Sequence, residues 1–147
     1  MMNPNWLSNP NWLLPLARIA MSAVFLYSGL DKLMHWPGAV AEAQALGLPV
    51  PALAMASTIA VQSAGGLSVL LGVASRPGAA LLAVFTIAAT LLAHWPLGLD
   101  GPAFQRQLTV CLEHLALVGG FVALIAAGPG AFSIDAARER RAIERIA

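Results

Sequence analysis

Apolar residues run along this chain in four long stretches separated by short polar breaks. They cover about 14–34, 51–74, 77–95 and 104–127, each close to the roughly 20 residues a helix needs to cross a bilayer. Proline marks most boundaries, at Pro15, Pro37, Pro51, Pro77, Pro96, Pro102 and Pro129. Proline fits the first turn of a helix and ends one elsewhere. Between the first two runs, PGAVAEAQALGLP predicts a short interfacial helix with Glu42 and Gln44 facing water. The pattern predicts a single all-α domain: an integral membrane four-helix bundle with a tail over 128–147.

Within the runs, polar and small residues recur at helical spacing. Arg18, Ser22, Phe25, Gly29 and Lys32 form one stripe on the first span. Thr58, Gln62, Gly65 and Gly72 form one on the second, and Ala79, Ala83, Thr86, Thr90 and His94 one on the third. Small residues so spaced let helices approach closely, so a packing seam accounts for most of these positions. On the fourth span Arg106, Glu113 and Gly120 share a face, while Gln107, Cys111 and His114 line the next. A carboxylate at membrane depth needs a partner. Lys32 is the first choice for Glu113; Asp31 is the alternative partner for Lys32 or Arg106. Arg18 is expected to meet Asp135 or a lipid phosphate.

Composition agrees with the membrane reading. The chain is 59% hydrophobic and 10% charged, with a mean hydropathy of +0.75, whereas soluble domains carry about 25% charged residues. A net charge of +1 gives no basic surface for nucleic acid. The single cysteine, Cys111, excludes an intramolecular disulfide and reads as a packing residue. No positive charge precedes Arg18, and the first run is too long for a signal peptide, so the start is expected to be retained. The near repeat NPNWLS–NPNWLL suits an interfacial lead-in, with Trp6 and Trp12 among the headgroups. Lys and Arg set the orientation. Arg18, Arg76, Arg138, Arg140, Arg141 and Arg145 fall on the side of the termini, and only Lys32 and Arg106 on the other. Both termini are therefore expected in the cytoplasm.

His-Trp-Pro occurs twice, at 35–37 and 94–96, each time where an apolar run stops. An interfacial tryptophan and a helix-stopping proline explain two of the three residues. The histidines need another reason. The topology gathers His35, His94, His114, Glu113 and Lys32 in the outer half. His35, His94 and His114 are the candidate metal ligands. No two share i, i+4 spacing, and Glu113 and His114, being adjacent, point about 100° apart on a helix; no metal is expected. A quinone site needs looser geometry: His94 or His114 donates to a quinone carbonyl and Glu113 handles the proton. Glu113, His114 and His94 are thus the candidate catalytic residues, and Lys32, Gln62, His94 and His114 the candidate cofactor-binding ones. The chain has no haem-attachment, iron–sulfur or dinucleotide motif, so two-electron chemistry would draw on a bound quinone or a partner. The alternatives are a non-catalytic scaffold of a larger membrane complex and a small lipid or solute binder or transporter.

Several stretches resemble the DoxX family of small four-helix bacterial membrane proteins. RIAMSAVFLYSGLDKL resembles its first span, with Arg18, Gly29 and Lys32 in the expected places. GLPVP resembles the entry to its second span, QSAGGLSVLLGVASRPGA that span and the turn after it, and LALVGGFVALIAAGPGAFSIDA its closing segment. One position departs: where the family often has glutamate, three residues before the paired glycines, this chain has Gln62, which hydrogen-bonds but does not titrate. The resemblance implies a multi-pass protein of the bacterial inner membrane. It also implies quinone-coupled oxidoreductase chemistry with other membrane or peripheral redox subunits.

Overall fold

The computed structural model describes residues 11–146; Trp6 and the first copy of the NPNW repeat lie outside them. Six helices follow in order: α1 Leu13–Met34, α2 Trp36–Ala45, α3 Pro51–Leu71, α4 Ser75–Ala93, α5 Gly101–Ala127 and α6 Ile134–Glu144. Four of them, α1, α3, α4 and α5, are long and apolar enough to cross a membrane. The fold is all-α, and no strand forms among the described residues. Its outside is apolar: Tyr27 is 73% exposed, Leu115 66% and Leu92 62%. A surface this apolar suits lipid rather than water.

Local chemistry sets the helix ends. Pro37, Pro51 and Pro102 each sit in a first turn, where the missing N–H costs nothing. The α3 helix stops at Leu71, earlier than the apolar run suggests, because Gly72 takes φ +66°. The N–H of Val73 then reaches back to the Ser68 carbonyl at 3.1 Å. A side chain at 72 would also run into the Arg18 guanidinium and Ser133. The α2 helix buries Ala39 and Ala43 against Met55 and leaves Glu42 and Gln44 exposed. Trp36 packs on that cluster and is half-buried.

The spans pack in sequence, α1 on α3, α3 on α4 and α4 on α5, while α1 and α5 touch sparsely. The stripes read from the sequence become the buried faces: Arg18, Ser22, Phe25 and Gly29 on α1, and Ala79, Ala83 and Thr86 on α4. At the centre Phe25 meets Phe121 at 5.5 Å between centroids and Phe85 edge-on at 6.4 Å. Two adjacent glycines on α3 admit its neighbours. A Cβ on Gly65 would lie 2.7 Å from Leu82 of α4, and one on Gly66 2.8 Å from Leu26 of α1.

At the end of the bundle that carries α6, the tail locks onto the α3–α4 turn. Ala74, the residue before α4, sits at φ +48° and offers no side-chain cap; a left-handed non-glycine residue costs roughly 1–2 kcal/mol. Asp135 supplies the missing acceptor, taking the N–H of Ala74 at 3.1 Å and of Ser75 at 3.4 Å. Its own N–H donates to the Gly72 carbonyl at 3.0 Å. Arg18 therefore does not form the expected ion pair with Asp135. It donates from Nη2 to the Phe132 carbonyl at 2.5 Å, and Asp135 acts on it only through space.

Two outcomes follow from this packing. Gly65→Val should lower the melting temperature of the detergent-solubilised protein through overpacking worth about 1–3 kcal/mol. Gly119→Ala, where an added Cβ meets nothing within 4 Å, should not lower it and can raise it slightly through helix propensity. Asp135→Ala should cost about 1 kcal/mol, as a lost cap does, and speed tryptic cleavage in α6 at Arg138 or Arg140.

Candidate functional site

The histidines of α4 and α5 come together at the bundle end that carries both His-Trp-Pro tripeptides. His94 is the residue after α4, its backbone N–H bonded to the Thr90 carbonyl at 3.0 Å. Antiparallel α5 presents Gln107, Cys111 and His114, at steps of four and three, toward α4. The His94 and His114 rings stand edge to face, 5.2 Å between centroids and 85° apart. Both are half-buried. Cys111 donates from Sγ to the His94 carbonyl at 3.4 Å, a packing thiol with a weak hydrogen bond.

The partners fix where the ring protons sit. Thr90 gives its hydroxyl hydrogen to the Thr86 carbonyl at 2.7 Å. Its oxygen can then only accept from His114 Nδ1, also at 2.7 Å. Gln107 Oε1 is an acceptor, so His94 Nδ1 donates to it at 3.1 Å. Each ring thus carries hydrogen on Nδ1, and each neutral ring keeps its lone pair on Nε2. In this neutral form the pair accepts hydrogen bonds at Nε2. Thr90, read from sequence as seam packing, orients one ring; Gln107 orients the other.

Lys32 and Gln62 lie elsewhere, between α1 and α3. Lys32 Nζ donates to Ser28 Oγ at 3.0 Å, and Gln62 Nε2 donates to the same oxygen at 3.1 Å. Gln62 is 6% exposed, and its Oε1 has no hydrogen-bond partner among the described residues. Ser28 is the residue the sequence reading missed; its place one turn before Lys32 is the signal that marks it. The four candidate cofactor residues therefore form two pairs on two helix pairs.

Glu113 joins neither. It stands on the exposed side of α5, in a groove beside Ala20, Met21 and Val24 of α1. Lys32 bonds to Ser28, so the expected Lys32–Glu113 pair is absent. Glu113 is twelve residues from the start of α5 and fourteen from its end, about 18 and 21 Å at 1.5 Å per residue. As the neighbour of His114, whose ring meets His94 just past the end of α4, it stands nearer that end of the bundle than the core where Phe25 meets Phe121. Asp31 pairs with His35, Nδ1 to Oδ1 at 3.1 Å, rather than with Lys32 or Arg106. His35 thus stays apart from His94 and His114. Among the described residues no three His, Cys, Asp or Glu side chains gather as a metal site would require.

The DoxX family model matches residues 13–95, from the start of α1 past the end of α4. The inner membrane protein YphA of Escherichia coli (strain K12) is 30% identical over 123 residues, 84% of this chain and 88% of the relative. The inner membrane protein YqjF of the same organism is 33% identical over 122 residues, 82% and 87% of the two chains. No solved structure gives a significant match. With four apolar spans, a family match over more than half its length and two relatives that align along most of it, the chain belongs to the DoxX family and is a multi-pass inner membrane protein.

Proposed function

We propose that the chain is a quinone-associated subunit of a redox complex, with both termini cytoplasmic and the His94–His114 pair near the outer face. One observation carries the reading: two neighbouring rings, each with Nδ1–H already engaged, leave two Nε2 lone pairs for a ligand. That donor set fits the reduced, dihydroxy form of a quinone, whose hydroxyls donate. When bound, such a ligand supplies the two-electron chemistry, and the electrons leave to a partner subunit. His94 and His114 accept hydroxyl hydrogens and take up protons at Nε2. Thr90 and Gln107 hold the rings, and Trp95 and Leu97 stand exposed next to His94. Glu113, next to His114, faces its own groove beside α1 and acts on the pair only through space. Lys32 and Gln62, a separate pair, are left to hold α1 against α3.

The test is purification from membranes, followed by mass spectrometry of the extracted lipid. Quinone should co-purify with the native chain and be lost from His114→Ala and His94→Ala. Thr90→Val should weaken binding roughly tenfold, the worth of one hydrogen bond of about 1.4 kcal/mol. Absence of quinone from the native preparation, with quinone-linked activity intact in both histidine variants, would overturn the reading. A scaffold role is the second reading, favoured by the exposed small residues Ala116, Gly119, Ala123 and Ala126 on α5. Native purification decides it: a lone monomer in gentle detergent counts against a scaffold.

A further inference from the structure

The α5 helix is the longest span, yet only Phe121 and Leu124 on it are buried. It meets α1 at Gly120, where an added Cβ would lie 3.0 Å from Met21 Cε. From there toward the His-Trp-Pro end the helices part, leaving a groove of about 420 Å³ that opens on the apolar surface. Its walls are Ala20, Met21 and Val24 on one side and Ala116, Leu117 and Gly120 on the other. Glu113 is its one polar side chain. No hydrogen bond or ion pair from the described residues reaches that carboxylate. Arg106 stands two turns away on the same face, about 10 Å along the axis.

A carboxylate without a partner between apolar walls marks a site, and it selects for opposite charge on an apolar body. A second copy in the same orientation would set Glu113 against Glu113, like against like. We infer that the groove binds a lipophilic monocation, an apolar molecule with one positive charge, which enters sideways from the bilayer. Glu113 neutralises the charge, and the small side chains Ala20, Ala116 and Gly120 make room for the body. The groove opens on a different face of α5 from the histidine pair, although Glu113, next to His114 in sequence, acts on it through space.

The experiment is equilibrium dialysis of the purified full chain against tetraphenylphosphonium, with neutral triphenylphosphine oxide as competitor. Saturable binding of one cation per chain is expected, undisturbed by the neutral compound. Glu113→Gln should weaken it on the order of thirtyfold or more, as loss of one partner of a desolvated charge pair does. Glu113→Asp should retain part of it, and Ala116→Leu should block it by filling the groove with the carboxylate intact. Helicity and melting temperature establish that each variant folds; should Glu113→Gln fail to fold, Ala116→Leu and the neutral competitor carry the test. Unsaturable partitioning, equal affinity in a folded Glu113→Gln or Ala116→Leu variant, or displacement by the neutral compound would overturn the inference. So would crosslinks that seat a second copy in the groove.

Discussion

How closely α3 approaches its two neighbours governs the bundle. Lipid outside is as apolar as the core inside, so burial alone does little to hold helices together in a membrane, and close packing takes over. Gly65 and Gly66 are adjacent and therefore face different ways. One accepts Leu82 of α4 and the other Leu26 of α1. The α3 helix becomes the shared wall between α1 and α4; one polar group, Ser28, Lys32 and Gln62, lies between α1 and α3, and the other, Thr90, His94, Gln107 and His114, lies on the far side of α4 against α5.

The span pattern was legible because the cost of exposing backbone to lipid forces long apolar helices. The buried faces of α1 and α4 were legible because polar and small residues there break an apolar background. On α5 that signal fails. Leu112, Leu115 and Val122 face outward while Phe121 and Leu124 face inward, and lipid and core ask for the same side chains. The side taken by Glu113 depends on how far α1 stands from α5, which no local spacing encodes. Proton placement on His114 was likewise hidden, since it turns on Thr90 giving its hydrogen to its own helix.

The two His-Trp-Pro tripeptides do one local job twice. His35 and His94 each follow the last helical residue, with a backbone N–H to the carbonyl four residues back, that of Asp31 or Thr90. What differs is the neighbour. His94 has α5 beside it and finds Gln107 and His114, whereas His35 turns back to Asp31 on its own helix. The tryptophans diverge as well: Trp95 is exposed, as an interface anchor would be, while Trp36 packs over the α2–α3 cluster. Identical tripeptides thus acquire different chemistry from tertiary position alone.

The Asp135 cap has a consequence for synthesis. Its carboxylate reaches the N–H of Ala74 across 61 residues of sequence. When α4 is made and enters the bilayer, the acceptor for its first N–H groups does not yet exist. The α4 helix begins life with an open, partly positive end, and the α3–α4 turn is completed only when the segment after α5 emerges and folds back. Ser68 orders the turn locally through the Val73 and Ala74 carbonyls, and the capping of its free N–H groups is the late event, set by chain order.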